Sequence, residues 1–282
     1  EGKGEVGGIV HDVSQSGATL FVEPPMAIGL MNEVRDLERE EGQEVRRILG
    51  ELTAEVTPLR EAIKGALGAL VDFDTLNARA RAALKWRAFA PALGGREVRI
   101  SEGRHPLLLE ADPQGVVPFE FDLLEDERTI VVSGPNTGGK SVFLKATGLL
   151  CALAQSGVVP PVGKGTSLPV FGAFFADIGD EQSISQSLST FSAHLANLSE
   201  IVAQADDRSL VLIDEMGTGT DPAEGAALAR SILEELVARG ATTLVSSHLG
   251  DLKRLDAEGS GIVNASMQFD SERMEPTYRF VK

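Results

Sequence analysis

The chain has 282 residues, a net charge of −16, 43% hydrophobic residues and 24% charged residues, which is typical of a globular protein with a sizeable core. Aromatic residues make up only 5%, which argues against an aromatic platform that stacks the bases of a single strand. The one cysteine, Cys151, excludes a disulfide or a cysteine-based metal framework within the chain. No apolar run approaches 18 residues and no signal peptide is recognisable, so we expect a cytoplasmic protein without a membrane anchor.

The negative charge is unevenly distributed along the chain. Residues 1–95 carry 11 basic and 15 acidic side chains, whereas residues 96–282 carry 15 basic and 27 acidic ones. Because proteins bind a phosphate backbone through Lys and Arg, the second part is a poor candidate for direct contact with nucleic acid. Any such contact is expected from the first part or from sequence outside this chain.

The first part begins with a predicted β-hairpin and continues as long helices. Two strand-like runs lie within residues 8–22 and end at Pro24-Pro25. From about Met26 the apolar residues recur at helical spacing, and Thr57-Pro58 is typical of a helix N-cap and first position. We therefore predict two helices of about 30 residues that form a helical hairpin, a lever or stalk with a solvated charged face.

A cluster of helix-breaking residues at 91–95 predicts a boundary between a domain at 1–95 and a domain at 96–282. Beyond it, predicted strands alternate with predicted helices, which indicates an α/β fold, a mainly parallel sheet with helices on both faces. The strands are Val98–Ile100, Thr129–Ser133, Val170–Ala176, Leu210–Ile213 and Thr242–Ser246, and the helices lie near 141–155, 190–205 and 222–239. The last stretch, residues 261–281, predicts a β-hairpin at a sheet edge.

A glycine-rich loop stands between one of these strands and the helix that follows it. It consists of Gly134, Pro135, Asn136, Thr137, Gly138, Gly139, Lys140 and Ser141, and Val142 continues into the helix. The spacing G-x-x-x-x-G-K-S in this context is typical of a P-loop, whose backbone N–H groups surround phosphate oxygens at a helix N-terminus. We expect the stretch from Gly134 to Val142 to bind ATP, with Lys140 on the β- and γ-phosphates and Ser141 on Mg²⁺.

Polar residues follow three other predicted strands. Asp214 and Glu215 follow an apolar run, and beside a P-loop we expect Asp214 to hold Mg²⁺ through water and Glu215 to polarise the attacking water. A solvated acidic turn is the alternative. His248 follows another strand, where a γ-phosphate sensor is expected, although a single histidine is more often structural. Gln182 follows a third run and could lie near Mg²⁺ and the γ-phosphate.

Together with Ser189-Thr190-Phe191, these motifs resemble the MutS family of ABC-type ATPases over nearly the whole chain. Gly103–Pro106 resembles the family's G-R-H-P entry to its ATPase domain, and the long helices resemble its lever arm. Val142 and His194 differ from the mismatch-repair members, which have Thr and Glu at these places. The run at residues 8–24 is similar to the bacterial second MutS paralogue. That branch lacks the mismatch-recognition domain and carries a C-terminal Smr endonuclease domain, which this chain does not contain.

The resemblance implies an ATP-gated homodimer in which the segment around Ser189 of one subunit completes the site of the other. It places Val117 and Pro118 near the adenine pocket. It further implies a clamp on branched DNA that suppresses recombination, and the alternative is a nucleotide-switched module that acts on stalled ribosomes and their rRNA. A transporter ATPase is disfavoured because Ser-Leu-Ser-Thr-Phe replaces the Leu-Ser-Gly-Gly signature.

Overall fold

The computed structural model describes residues 8–15, 20–135, 138–179, 187–218, 221–257, 259–270 and 275–282. The chain divides into two compact units, residues 1–74 and residues 75–282. In the first unit, strands β1 (Ile9–Val13) and β2 (Leu20–Glu23) pair antiparallel, as the sequence predicts. Helix α1 (Pro25–Val56) follows, then a 3-10 turn at Thr57–Leu59, and then helix α2 (Arg60–Lys85), which continues into the second unit.

The connection between α1 and α2 is not the hairpin loop that the sequence predicts. Val56, Thr57 and Arg60 all have right-handed helical backbone angles, and the Thr57 N–H donates to the Thr53 carbonyl. Pro58 has no N–H to donate and its ring crowds the preceding turn. A single 3-10 turn accommodates the proline ring and the missing hydrogen bond. The proline therefore tightens the helix locally but does not reverse the direction of the chain.

The amphipathic stripe of the long helices is exposed. No residue of α1 or α2, both of which are described throughout, is buried. On the polar side, Arg47 pairs with Glu44 at 2.5 Å and with Glu51 at 2.6 Å, and all three side chains are exposed. Because such exposed pairs are screened by water, each contributes little, and local helix-forming interactions hold this region.

The second unit is built on a six-stranded sheet. Its strands are β6 (Thr129–Ser133), β8 (Ala173–Asp177), β9 (Ser209–Ile213), β10 (Thr242–Ser246), β11 (Ile262–Asp270) and β12 (Glu275–Val281). They lie in the order β12-β11-β6-β10-β9-β8. All neighbours pair parallel except the edge strand β12, which pairs antiparallel with β11. This confirms the predicted α/β fold with an edge hairpin.

Helices cover both faces of this sheet, as predicted. Helix α4 (Lys140–Gln155) shares a core with Ile130 and Val132, whereas α5 (Ser187–Gln204) and α6 (Pro222–Ala238) share the opposite core with Val131. This alternation along β6 follows from the two-residue period of a strand. Its apolar residues are buried on both faces, which is why the strand is continuously hydrophobic.

A second, four-stranded sheet was only partly predicted. It consists of strands β3 (Ala92–Leu93), β4 (Val98–Gly103), β5 (Phe119–Leu123) and β7 (Ser167–Leu168) in the order β3-β7-β4-β5, with the short helix α3 (Pro106–Ala111) between β4 and β5. Only part of β4 was expected. Strand β5 carries a clear period of two, because its first, third and fifth residues are buried and the others exposed.

Aromatic rings connect the two sheets. Phe143 of α4 lies edge-on to Phe119 and Phe121 of β5, with ring centres 5.1 and 5.3 Å apart, and stacks on Phe280 of β12 at 4.6 Å. These contacts hold the second sheet beside the start of α4. Among the described residues, no helix is both long and apolar enough to cross a membrane.

Candidate phosphate and nucleotide site

The predicted site residues lie where the parallel strands β6, β9 and β10 end. The strand order places β10 between β6 and β9, so the loop after β6, Asp214 after β9 and His248 after β10 meet at one edge of the sheet. Carboxyl ends of parallel strands are where open α/β sheets bind ligands.

Glycine is required where the loop passes closest to the edge hairpin. Gly134 and Gly139 have φ of +136° and +89°, in the region that favours glycine. A Cβ on Gly134 would lie 3.3 Å from the Met267 carbonyl oxygen, and one on Gly139 would lie 3.1 Å from the Tyr278 ring. Glycine therefore lets the loop backbone pass close to the edge hairpin without a clash.

Lys140 is the only charged residue of the loop sequence Gly134–Ser141, and it is almost completely buried. It is 2% exposed, and its Nζ donates to the Gly134 carbonyl at 2.7 Å. Burial lowers the pKa of Lys140, and the charges of Asp214 and Glu215 partly offset that effect. Ser141 lies in the first turn of α4, next to Lys140, with Val142 exposed beyond it. Asn136 and Thr137 lie outside the described residues.

Ser246 at the end of β10 bonds to both Asp214 and Glu215, although it was not among the predicted site residues. Its hydroxyl donates to Asp214 Oδ1 and accepts from the Glu215 N–H at 2.9 Å. Asp214 is 8% exposed, and its own N–H donates to the Asp177 carbonyl at 2.9 Å. This hydrogen bond fixes the orientation of the buried carboxylate. The only indication of this role in the sequence was the Ser246-Ser247 pair directly before His248.

Glu215 has a strained backbone. Its φ of +53° is unusual for a residue with a side chain, and such positions cost about 1–3 kcal/mol. Ser246 bonds to its N–H, and the Thr218 hydroxyl donates to its carbonyl at 2.8 Å. This turn directs the half-exposed Glu215 side chain toward His248, with Oε1 and Nε2 4.0 Å apart. The structure thus brings these two predicted residues together.

A second polar cluster lies at the end of β8. Asp177 pairs with His194 Nδ1 and accepts from Asn197 Nδ2 at 2.9 Å, and both the Asp177 and His194 side chains are about 15% exposed. Burial raises the pKa of Asp177, but the bonds from His194 and Asn197 outweigh it and hold the pKa below its usual range. His194, which departs from the mismatch-repair pattern, therefore fastens α5 to the strand beside Asp214.

Two predicted residues cannot be placed as side chains. Gln182 lies outside the described residues. Ser189 lies in the first turn of α5, whose backbone is described there. Their roles stay predictions.

A cavity of about 390 Å³ opens beside the loop. Its walls include Val117 and Phe119 from the segment that leads into β5, Gly139 and Val142 from the loop and α4, and Tyr278 from β12. Pro118, which was predicted to lie near the base pocket, does not line this cavity, although its neighbours Val117 and Phe119 do. Tyr278 was not predicted, since its approach to Gly139 depends on the distant edge hairpin.

These residues fit a nucleotide and a magnesium ion. The loop offers backbone N–H groups and a buried cation, and Ser141 and Asp214 offer the hard oxygen ligands that magnesium prefers. Among the described residues, no group of three His, Cys, Asp or Glu side chains could hold a metal. Magnesium would therefore depend on phosphate oxygens for the rest of its shell, which is usual for this ion.

The chain is similar to known proteins of one family. The family model described as MutS domain V matches residues 130–281. The chain is 56% identical over 285 residues to a protein named Endonuclease MutS2 from Gemmatimonas aurantiaca, a match that covers 100% of this chain and 35% of the relative. Proteins of the same name from Pelotomaculum thermopropionicum (50% over 283 residues, 100% and 35%) and Geobacillus thermodenitrificans (49% over 276 residues, 98% and 35%) are also similar. The chain thus spans about a third of the length of these curated relatives.

Proposed function

Because the chain belongs to the MutS family, in its MutS2 branch, we propose that it supplies the magnesium-dependent ATPase of a dimeric DNA clamp. The observation that carries this proposal is the set of side chains at the ends of β9 and β10. Ser246 holds Asp214 and Glu215 in place, and Glu215 faces His248 beside the buried Lys140.

The proposed roles follow from chemistry and position. Lys140, now bonded to the Gly134 carbonyl, would exchange this partner for phosphate oxygens. Ser141 and Asp214 would hold magnesium, which neutralises phosphate charge when bound. Glu215 would take the proton of the attacking water, and His248 would contact the γ-phosphate from the adjoining strand end.

The apolar cavity is proposed to take the base of the nucleotide. It opens at Gly139, one residue before the phosphate-binding lysine, so a nucleotide could reach both places. Tyr278 and Val117 offer flat or apolar surface on its walls, which suits the apolar faces of a purine.

The dimer and the substrate are proposals that rest on the family. Ser189 of one subunit would approach the Lys140 site of another at the N-terminus of α5, where the helix dipole favours a phosphate. The longer protein would act in the cytoplasm on branched DNA and suppress recombination, and an endonuclease activity would belong to an Smr domain. Comparing the full-length protein's binding to four-way junctions and to stalled ribosomes tests this choice, since preference for ribosomes would favour the alternative.

Replacement of Glu215 tests the catalytic proposal. Purified Glu215→Gln protein should hydrolyse Mg·ATP about 10²-fold or more slowly, because general base catalysis contributes about that much, and should still bind ATP. The matched control is Glu234→Gln on the exposed side of α6, which removes the same charge away from the site. Unchanged turnover in Glu215→Gln would show that the assigned role is wrong.

A further inference from the structure

A second cleft lies at the opposite edge of the sheet from the P-loop. It has a volume of about 110 Å³ and is lined by residues at the amino ends of the strands: Gly95, Arg96, Arg128, Pro169, Val170, Phe171, Asp207, Arg208 and Thr242. Thr242 begins β10 and Ser246 ends it. At about 3.3 Å per residue, roughly 13 Å of strand separates this cleft from the nucleotide site.

Three arginines converge on this cleft and one carboxylate faces them. Arg96 Nη2 pairs with Asp207 Oδ2 at 2.7 Å, and Arg128 Nη2 donates to the Glu125 carbonyl at 2.5 Å. The guanidinium of Arg208 forms no hydrogen bond and no close ion pair among the described residues, although its charge acts on the nearby Asp206 carboxylate. The lining therefore carries a surplus of positive charge within a region that is strongly acidic as a whole.

Thr242 adds a hydroxyl donor to the wall of the cleft. The residue is only 4% exposed and lines the cleft, yet its hydroxyl forms no hydrogen bond within the described chain. Unlike the hydroxyls of Thr129 and Thr243, which are fully enclosed without a partner in the described part of the chain, the Thr242 hydroxyl is open to the cleft and can bond to a ligand there. A hydroxyl beside unused guanidinium N–H groups is a donor set for an oxyanion.

We propose that this cleft binds a phosphate-sized oxyanion, either free or as a phosphate group of a DNA backbone. Arg208 and Arg128 would donate paired N–H groups to its oxygens, a geometry for which the planar guanidinium is suited. Thr242 would donate its hydroxyl from the floor. The proposal is independent of the ATPase function, because none of these residues lies at the nucleotide site.

Inorganic phosphate is the first probe. The P-loop is expected to bind phosphate too, so the chain is first changed by Lys140→Met, which removes that cation while keeping the side chain's length. In this background phosphate should raise the unfolding temperature more than sodium chloride at equal ionic strength. Adding Arg208→Ala should weaken phosphate binding roughly tenfold, a loss of about 1.4 kcal/mol, because it removes the charged donor pair. Arg208 is exposed, so this truncation should leave the fold intact.

Two further variants make the result specific. Arg230→Ala removes an equal charge from an exposed position of α6 that does not line the cleft, and should leave phosphate binding unchanged. Arg208→Lys keeps the positive charge but loses the paired N–H donors of the guanidinium, so it should give an intermediate affinity for phosphate. The proposal is wrong if phosphate has no effect beyond that of salt, or if Arg230→Ala weakens binding as much as Arg208→Ala.

A labelled DNA duplex distinguishes the two sources of the anion. If Arg208→Ala weakens DNA binding and phosphate competes for it, the ligand is a backbone phosphate. If DNA binding is unaffected while phosphate binding falls, the ligand is a free anion; either result supports the site. Because no arm measures ATP turnover, failure of this proposal is separate from failure of the Glu215 test.

Discussion

The long helices α1 and α2 and the layered unit at residues 75–282 use the same apolar residue types with opposite results. Leu37 in α1 is 59% exposed, whereas Leu244 in β10 is fully buried. Both sequences are regular and both form the predicted element. The helices contribute no buried residue, while the layered unit has a core on each face of its sheet.

The difference shows that periodicity determines an element and its apolar face but not what covers that face. In α4 the apolar residues meet strands from distant parts of the chain, and burial follows. In α1 the same kind of stripe remains exposed in this chain. Stability is therefore expected to be concentrated in the layered unit, and paired substitutions in the two regions test this comparison.

The largest expected contrast is the reactivity of thiols. Burial raises the pKa of Cys151 from 9.0 to about 12, so its thiolate fraction at pH 8 should be about a thousandfold below that of the unfolded chain. An Ala54→Cys variant adds a thiol on exposed α1 as control and should react with Ellman's reagent at the rate of a free thiol. Rapid native reaction of Cys151 would contradict a closed core.

The same raised pKa predicts a pH dependence of stability. Well below pH 9.0 the thiol is protonated in both the folded and the unfolded state and does not affect stability. As pH rises toward about 12 the unfolded chain ionises first, so the Cys151 contribution should destabilise the fold over this interval. Urea unfolding of Cys151→Ser, which removes most of this ionisation, should show a smaller loss over that interval than the unchanged chain.

Leucine truncation should produce the next largest difference. Leu244→Ala opens a cavity in the core and should cost about 2–5 kcal/mol of unfolding free energy. Leu67→Ala on α2, where the residue is 61% exposed, should change it by less than about 0.5 kcal/mol. Urea unfolding followed by circular dichroism measures both, and equal losses would mean that the exposed stripe is covered in solution.

Glycine-to-alanine changes should differ in sign between the regions. A Cβ on Gly65 in α2 would have no neighbouring atom within 4 Å, so Gly65→Ala should stabilise the helix by about 0.5–1 kcal/mol. A Cβ on Gly148 in α4 would lie 2.5 Å from Leu212 Cδ1 in the core. Overpacking of about 1–3 kcal/mol should then outweigh the helical gain. Thermal unfolding of the two variants measures both effects. A higher unfolding temperature for both would show that the core around Gly148 is loosely packed.

The smallest effect is expected where α2 ends. The sole tryptophan, Trp86, donates to Glu110 of α3 at 2.7 Å, and Lys85 pairs with the same carboxylate. The other face of α3 lines the cavity beside the P-loop. We expect ATP to change Trp86 emission slightly and Glu110→Gln to reduce that change, with Glu234→Gln as control. An identical change in Trp86 emission in both variants would show that α3 does not connect Trp86 with the cavity beside the P-loop.

Short-range sequence patterns were enough to predict where the main elements of the candidate site lie. Gly134 to Ser141, Asp214 with Glu215, and His248 each follow a strand directly, so an adjacent apolar run indicated their positions. The partners of these residues were not predictable in the same way. Ser246 meets Asp214 across 32 positions, and His194 meets Asp177 only after α5 has packed on the sheet.

The sequence by itself determined where helices and strands form, where the phosphate loop lies, and which strand ends carry carboxylates, because these depend on neighbouring residues. Only the tertiary structure decided that Thr57-Pro58 continues the helix, that Val117 rather than Pro118 faces the cavity, and that three arginines of an acidic region share one cleft. Each of these depends on which distant residues pack together, and the free energy of that packing is not contained in any local pattern.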